Sequence, residues 1–243
     1  MSQTILITGS SSGLGLAFLK HYASLPSTSH IIALDLNPLP ELALSTETTT
    51  KISFHKVDIT NETELQTLAA NLQNTPIDLL LHCAGIRGLV PAIAEQQRDV
   101  AAAETYQVMT PATMLRTFEI NTIGTFSVVT TFLPNLRAAR ASKVIILSSR
   151  MGSVASNISG GGYAYRASKA ALNAVVKSLS IDVPDVTFLL LHPGRVETGL
   201  VAWKEEGAIS VEESLGDCLH VIEGLKIEDS GKLVDRFGAA IPW

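Results

Sequence analysis

The sequence predicts a single doubly wound α/β domain, in which helices flank a seven-stranded parallel sheet. Short apolar runs alternate with segments of helical spacing along the 243 residues. The run Ile77–Cys83 is almost continuously apolar, which is typical of a strand buried on both faces. A glycine-rich turn, Thr8–Gly15 (TGSSSGLG), joins the first apolar run to the first helical segment. This order of strand, turn and helix is typical of a site that binds phosphate at a helix N-terminus.

Each strand is predicted from a short apolar run and each helix from apolar residues that recur every three to four positions. The predicted strands are Ile5–Ile7, Ile31–Asp35, Ile52–Val57, Ile77–Cys83, Val144–Leu147, Val186–Leu191 and Lys232–Val234. The predicted helices are Leu14–Tyr22, Asn61–Leu72, Pro111–Leu133, Tyr163–Ser180 and Val211–Leu225. Asn61 is expected to cap its helix, because its side-chain oxygen can accept a hydrogen bond from the first turn.

Three segments are less regular. Pro38–Thr50 is a polar connection with a run of threonines, and Ser153–Gly162 is rich in serine and ends in three glycines. Ile86–Thr110 is long for a loop, which indicates a function or extra structure. The last two segments follow strands at their carboxyl ends, where sites gather in such sheets. Since no repeat or linker divides the chain, residues 1–243 are treated as one domain.

Composition excludes several classes of protein. A net charge of −5 and a pI near 5.7 argue against a nucleic-acid partner. Apolar runs stay below the ~18 residues of a membrane span, and the chain enters a strand without a signal peptide. Two cysteines form no disulfide framework, and six histidines show no metal-ligand spacing. We therefore expect a cytoplasmic protein without a membrane anchor or a structural metal.

The glycine-rich turn predicts a pyrophosphate site. Gly9 permits the tight turn, Gly13 lets backbone approach the anion, and Gly15 lets helix and strand pack closely. Asp35 ends the second strand 20 residues later, where a carboxylate accepts hydrogen bonds from ribose hydroxyls and repels a 2′-phosphate. No basic residue stands in the turn, and Leu36 follows Asp35, so NAD(H) is expected rather than NADP(H). An ordinary strand-to-helix turn and a turn-forming aspartate remain the alternatives.

A tyrosine and a lysine stand four positions apart in the predicted helix Tyr163–Ser180. Tyr165 and Lys169 therefore share a helix face. A tyrosine pKa near ~10 makes the phenol a weak acid, and an adjacent ammonium is expected to lower that pKa. Ser149 follows the fifth strand and offers a hydroxyl to a substrate carbonyl. Asn121 lies within a predicted helix, where either a polar relay or a satisfied buried amide would explain it.

These residues occur in the order found in short-chain dehydrogenases/reductases, and the chain resembles that family over nearly its whole length. The segments Ser148–Ser153 and Tyr163–Asn173, and the ending Ile241-Pro242-Trp243, are similar to its C-factor-like (sniffer-type) carbonyl reductase branch. The resemblance implies a Rossmann-type fold, with residues 1–110 mainly binding the dinucleotide and residues 111–243 forming the catalytic and substrate half.

The resemblance also implies roles for individual residues. Tyr165 would be the acid/base, Lys169 would also hold the nicotinamide ribose, and Asn121 would order a proton-relay water. The implied catalytic set is Asn121, Ser149, Tyr165 and Lys169. The implied cofactor-binding residues are Gly9, Ser11, Ser12, Gly13, Leu14, Gly15, Asp35, Asp58, Ile59, Cys83, Ala84, Gly85, Tyr165, Lys169, Pro193, Gly194, Val196 and Thr198. Asp58 is placed to border the adenine, with a helix-flanking aspartate as the alternative.

Two departures from the family pattern bear on the site. The usual Asn-Asn-Ala-Gly is His82-Cys83-Ala84-Gly85 here, so an amide that braces the central sheet is replaced. Ser149 stands 16 residues before Tyr165, against a usual spacing near 13, which indicates an insertion at Gly160–Gly162. Ser148 and Ser153 are weaker candidates for the serine role.

The sequence therefore predicts an NAD(H)-dependent oxidoreductase that interconverts a small alcohol and its ketone or aldehyde. A cofactor-binding signalling protein on the same fold, or a member recruited to isomerisation or elimination, remains an alternative. The apolar helices that contain Asn121 and Tyr165 predict a homodimer or homotetramer. Ile86–Thr110 and Gly199–Ser210, with Trp203, are expected to form a lid over the substrate.

Overall fold

The computed structural model confirms the predicted fold class. The structure describes residues 2–42, 49–203 and 206–243. Seven parallel strands form one sheet in the order β3-β2-β1-β4-β5-β6-β7. The strands are β1 Gln3–Thr8, β2 Thr28–Asp35, β3 Lys51–Lys56, β4 Leu79–His82, β5 Lys143–Leu147, β6 Thr187–His192 and β7 Lys232–Asp235. Because β1 lies between β2 and β4, the strand order reverses there and a crevice opens at the strand ends.

Helices cover both faces of this sheet. They are α1 Gly13–Ala23, α2 Glu62–Asn71, α3 Pro91–Gln97, α4 Val100–Ala103, α5 Pro111–Phe118, α6 Thr125–Thr131, α7 Leu133–Ala138, α8 Tyr163–Asp182 and α9 Val211–Gly224. The predicted cap of α2 is confirmed, because the Asn61 side chain accepts from the Glu64 N–H at 3.3 Å. Among the described residues, no helix combines the length and the apolar character that a bilayer crossing requires.

The core has two layers because side chains alternate along each strand. Leu6 of β1 packs with α2, α6 and α8, whereas its neighbours Ile5 and Ile7 pack with α1 and α9. Phe18 and Phe132, one in each layer, are fully buried. Burying a large apolar side chain stabilises a fold by about 1.5–3 kcal/mol, so both helical layers are fixed to the sheet.

The helix predicted over Pro111–Leu133 is present over 111–131, but it is not α-helical throughout. The α-helix ends at Phe118, a π-helical turn spans Glu119–Gly124, and α6 then begins. Two features explain this π-helical turn. The Asn121 side chain binds backbone outside the helix, and a Cβ on Gly124 would lie 3.0 Å from the Ile59 side chain, so this turn is fitted to its neighbours. π-turns of this kind often lie at functional sites.

The long segment Ile86–Thr110 contains extra structure, as expected, in the form of the short helices α3 and α4. The predicted polar connection Pro38–Thr50 includes residues 43–48, which lie outside the described residues. Both the Ile86–Thr110 segment and the segment after β5 extend from the same sheet edge as the glycine-rich turn. This edge therefore carries the candidate site.

Candidate active site

The glycine-rich turn has the geometry that its glycines predict. Gly9 has a φ of +67°, and a Cβ there would lie 2.8 Å from the backbone nitrogen of Ala84. A Cβ on Gly15 would overlap the carbonyl oxygen of Gly9. A Cβ on Gly13 would lie 3.1 Å from the Thr198 side chain, which belongs to the segment after β6. Side chains at these positions would fill the space between strand, helix and facing loop.

A groove of about 360 Å³ runs along this turn. Its lining includes the predicted cofactor-binding residues Gly9, Ser12, Gly13, Leu14, Gly15, Asp35, Asp58, Ile59, Cys83, Ala84, Gly85, Tyr165, Lys169, Pro193, Gly194, Val196 and Thr198. Ser11 does not line the groove, and its N–H instead donates to Asp35. A cleft of backbone N–H groups at a helix N-terminus, with a carboxylate at the next strand end, fits a dinucleotide.

The Asp35 carboxylate is held at the end of β2. One oxygen accepts from the Ser11 N–H and the other from the Asn37 N–H, each at 2.9 Å. Sequence reasoning missed one basic residue at this groove, Arg116, which also lines it. Arg116 forms an ion pair with Glu119 at 2.8 Å. Arg116 stands in a helix more than 80 residues from Asp35 in the sequence, so the sequence did not indicate that both residues line the same groove.

His82 replaces the family asparagine with a fully connected hydrogen-bond network. The Thr125 hydroxyl donates to the carbonyl oxygen of Asn121 at 2.8 Å, so it accepts from Nε2 of His82 at 2.9 Å. The Thr8 hydroxyl accepts the two N–H groups that follow His82, so it donates to Nδ1 at 3.1 Å. Burial, with a smaller effect of the Lys169 charge, lowers the pKa of His82 to about 3. The neutral ring therefore braces β1 against the first residue of α6.

Tyr165 and Lys169 share one face of α8, as predicted. The Lys169 Nζ atom lies 5.7 Å from the centre of the Tyr165 ring and donates to the carbonyl oxygen of Leu147 at 2.8 Å. Burial lowers the pKa of Lys169 to about 8. The ammonium group therefore loses its proton at a lower pH than a free lysine does, but it still carries its charge at pH 7.

The expectation that Lys169 lowers the pKa of Tyr165 is wrong for the protein alone. Burial raises that pKa above its ordinary value. The charge of Arg87 and a hydrogen bond with Ser149 lower it, and the charge of Glu104 raises it. Desolvation of the phenolate thus outweighs the nearby cation. The phenol is protonated at neutral pH, as a proton donor must be.

Of the three candidate serines, Ser149 is the one that contacts Tyr165. The Ser148 hydroxyl donates to the Asn173 side chain at 2.7 Å, and Ser153 bonds the Ser156 hydroxyl at 2.9 Å. The Ser149 hydroxyl accepts from the Met151 N–H at 3.1 Å and hydrogen-bonds with the phenol. The geometry therefore favours Ser149 for the serine role.

Asn121 has the contacts of a satisfied buried amide. Its oxygen accepts from the Ile86 N–H at 2.8 Å, and its nitrogen donates to the Ile86 carbonyl at 2.9 Å and to the Ser168 hydroxyl at 3.0 Å. Both amide hydrogens are therefore used within the protein. The residue fixes the backbone that leads from Gly85 into the segment beside the tyrosine.

A second cavity of about 750 Å³ adjoins the groove. Ser149 and Tyr165 line both spaces, so these hydroxyls stand at the junction. Both predicted lid segments contribute to the second cavity, including Trp203; residues 204 and 205 lie outside the described part of the chain. Its lining carries charges of both signs. Among the described residues, no cluster of histidine, cysteine and carboxylate side chains is arranged to hold a metal ion.

Arg87 and Glu104 are residues of this cavity that sequence reasoning missed. The Arg87 guanidinium carbon lies 4.8 Å from the centre of the Tyr165 ring, and two of its nitrogens bind the Glu104 carboxylate. Both residues lie in the segment 86–110, whose length was the one sequence signal. Nothing in their spacing predicts that they meet each other and the tyrosine.

Comparison with protein families gives a match to the model described as short chain dehydrogenase, over residues 3–208. The C-signal protein of Myxococcus xanthus is 39% identical over 181 residues, which are 74% of this chain and 100% of that protein. The family match includes the glycine-rich turn and the sheet edge described above.

Solved structures share the architecture over the whole chain. The carbonyl reductase Sniffer of D. melanogaster superposes with a TM-score of 0.81 at 26% identity, covering 100% of both chains. An NADPH-bound carbonyl reductase from chicken fatty liver has a TM-score of 0.82 at 24% identity, covering 100% of this chain and 99% of that one. The second likeness concerns the fold alone.

Proposed function

The chain belongs to the short-chain dehydrogenase family, whose members are oxidoreductases with a nicotinamide cofactor, and we propose that it interconverts a small alcohol and its ketone or aldehyde. One observation carries this proposal. Tyr165 and Ser149 line both the cofactor groove and the adjoining cavity, so a carbonyl oxygen bound between them would lie beside the nicotinamide end of the groove.

The chain's own residues would polarise and protonate the carbonyl. Ser149 and Tyr165 would both donate hydrogen bonds to its oxygen, and Tyr165 would deliver its proton as the oxygen gains charge. A bound nicotinamide supplies the hydride in this direction. Lys169 would hold the nicotinamide ribose while its charge stabilises the phenolate that remains.

We propose NAD(H) as the preferred cofactor because of Asp35. A 2′-phosphate would lie against a carboxylate that two backbone N–H groups hold in place. Arg116, which lines the same groove, is already paired with Glu119. Since two structural neighbours contain NADPH or NADP, the test compares both cofactors on the same protein.

We call the second cavity, of about 750 Å³, the substrate cavity. It favours a polar carbonyl compound over a long hydrocarbon. Its walls carry arginine and carboxylate side chains beside an aromatic surface at Trp203. A long hydrocarbon would displace the water around these charged side chains without replacing its hydrogen bonds, which disfavours such a substrate.

The proposal is tested by following oxidation of NADH and NADPH against a panel of small aldehydes and ketones. Wild-type protein should turn over at least one class of carbonyl, with NADH preferred. Tyr165→Phe should reduce turnover by about 10²–10⁴-fold while NADH affinity stays nearly unchanged. No turnover with any carbonyl or alcohol would count against the proposal.

A cofactor-binding signalling protein is the second candidate, because the relative with 39% identity is named C-signal. In that case NADH would bind without turnover, and Tyr165→Phe would leave the cellular effect intact. The turnover screen therefore separates the two candidates. Presence of Tyr165, Lys169 and Ser149 in one cluster supports the enzyme.

We also propose that a second copy of the chain covers the outer surface of α5, α6 and α8. Large apolar side chains are exposed there: Leu115 by 70%, Phe126 by 44% and Ile181 by 64%. Such exposure is typical of a surface that is covered in an assembly. Light scattering should give a dimer or tetramer, and Leu115→Glu with Phe126→Glu should shift it towards the monomer. A monomeric wild type at micromolar concentration would overturn this proposal.

A further inference from the structure

Three separate segments meet at Arg87, whose guanidinium group lies over the ring of Tyr165. Arg87 comes from the segment after β4, Glu104 from the end of α4, and Met151 from the turn after β5. We call these three residues the Arg87 cluster. All three line the substrate cavity together with Tyr165.

The guanidinium group of Arg87 is held in one orientation. Its Nε donates to Glu104 at 3.0 Å and one terminal nitrogen donates to the other carboxylate oxygen at 2.9 Å. The remaining nitrogen donates to the Met151 sulfur at 2.9 Å. A forked pair of this kind fixes position better than a single contact does.

The cluster is also attached to the start of α8. The Gly162 N–H donates to the carbonyl oxygen of Glu104 at 3.1 Å, one turn before Tyr165. A Cβ on Gly162 would lie 2.7 Å from the end of the Met151 side chain. Gly162 therefore lets the helix that carries the tyrosine pack directly on the cluster.

The ion pair is largely shielded from water, with side-chain exposures of 17% for Arg87 and 12% for Glu104. Removing two charges from water offsets most of their attraction, so such a pair contributes little net stability. Its place against the reactive phenol is therefore the property to explain.

We infer that Arg87, held by Glu104, is a second positioning cation for Tyr165 beside Lys169, an inference that rests on the proposed acid/base role of this tyrosine. The guanidinium lies 4.8 Å from the ring centre, closer than the Lys169 ammonium at 5.7 Å. The Arg87 guanidinium lies over the face of the phenol ring, so it acts on the reaction through Tyr165.

The charged groups around the phenol act in opposite directions. Against the upward effect of burial, the Arg87 charge lowers the pKa of Tyr165 and the Glu104 charge raises it. His192, which lines the same junction, has a pKa lowered to about 4 by burial and is neutral. Replacing Arg87 or Glu104 by a neutral residue should therefore shift the pKa of Tyr165. Loss of Arg87 should raise that pKa, and loss of Glu104 should lower it.

The test is a pH titration of Tyr165 in the protein without cofactor or substrate, by NMR of ¹³Cζ-labelled tyrosine. Four tyrosines are present, and the resonance that disappears in Tyr165→Phe identifies the one of interest. Arg87→Gln should raise its pKa by at least about one unit, and Glu104→Gln should lower it. The double variant should lie between them.

The exposed pair Arg137 and Asp185 provides a matched control, because it has the same forked geometry at 2.9 Å and 3.3 Å on the surface. Arg137→Gln should leave the titration unmoved. Shifts of the same sign in Arg87→Gln and Glu104→Gln, or no shift in either, would overturn the inference. If Arg87→Gln does not fold, Glu104→Gln decides alone, since a downward shift supports the inference and any other result refutes it.

This titration needs no turnover, so its outcome is independent of the turnover screen. A protein without activity that still gives opposite shifts would refute the proposed function and keep the inference. In an active enzyme, the pH profile of kcat/KM should move in parallel with the titration in each variant.

Discussion

The cofactor groove and the substrate cavity meet at Tyr165, yet they are built in different ways. The groove is shaped by backbone, with Gly9 and Gly15 letting strand and helix touch. The cavity is shaped by charged side chains from distant segments, above all Arg87 and Glu104. We expect the groove to respond most strongly to changes in side-chain volume, and the cavity to changes in charge and pH.

The largest effect should come from adding one methyl group to the groove. Gly15→Ala places a Cβ against the Gly9 carbonyl, so helix and strand must separate. The free energy of unfolding should fall by about 3–5 kcal/mol, and NADH affinity should fall more than 100-fold. Urea unfolding and fluorescence titration with NADH measure both quantities.

Gly216→Ala is the control for that experiment, because a Cβ on this α9 glycine meets nothing within 4 Å. This variant should be neutral or more stable by about 0.5–1 kcal/mol. Equal losses in the two glycine variants would contradict a groove shaped by close backbone contact.

The second-largest effect concerns His82, which is buried in the sheet below the groove and the cavity, and it is an effect on stability in acid. Its pKa is lowered to about 3, so in acid the unfolded chain takes up the proton first. Its contribution to stability is complete above the unfolded pKa of 6.5 and is lost as pH falls towards 3. By pH 4 this loss should reach about 3 kcal/mol.

His82→Asn tests this by urea unfolding at pH 7 and pH 4. The variant should be less stable at pH 7 but should lose about 3 kcal/mol less than the wild type on acidification. Other buried histidines such as His192 make the same contribution to the pH dependence of the free energy of unfolding in both proteins. This contribution cancels when the variant is compared with the wild type. Parallel curves would show that His82 does not carry the acid sensitivity.

A smaller effect is expected for Lys169, where the substitution should stabilise the protein at pH 7 although stability again falls with falling pH. Its folded pKa of about 8 lies below the unfolded value of 10.5, so stability is complete above pH 10.5 and falls as pH drops to 8. Lys169→Met should therefore raise the free energy of unfolding at pH 7 by about 2–3 kcal/mol while turnover is lost. A destabilised variant would mean that the ammonium is better solvated than its burial implies.

The smallest change is expected for Asp35, whose substitution should alter the preference for NADH over NADPH in the groove. The wild type should prefer NADH to NADPH by about 1–3 kcal/mol, because the 2′-phosphate would face a carboxylate. Asp35→Ala should shrink or reverse that preference in binding titrations. Asp185→Asn removes a distant exposed charge and should leave the ratio unchanged. A wild type that prefers NADPH would contradict the cofactor assignment.

The comparison also explains how much the sequence alone could predict. The groove is encoded by a contiguous turn and by strand ends whose order follows from the fold class, so Gly9, Gly15 and Asp35 were identified from pattern. Tyr165 and Lys169 share one helix, so their meeting was also predictable from spacing. The seven strands followed from apolar runs for the same local reason.

What the sequence could not reveal depends on contacts between remote segments. Arg87 meets Glu104 across 17 positions and Met151 across 64 positions. The π-helical turn at Asn121 likewise depends on backbone 35 positions away at Ile86. The sign of the Tyr165 pKa shift depends on burial, which the Tyr-Lys spacing does not report.

The central claim is that this chain transfers a hydride to a carbonyl carbon while Tyr165 protonates the oxygen. The direct measurement supplies NADH dideuterated at C4 of the nicotinamide with a carbonyl substrate from the screen, and follows deuterium in the alcohol by mass spectrometry. Wild-type protein should place one deuterium on the carbinol carbon for each NADH oxidised. Tyr165→Phe should form the same product about 10²–10⁴-fold more slowly with NADH affinity unchanged. Alcohol without deuterium, or a Tyr165→Phe variant as fast as the wild type, would contradict the account.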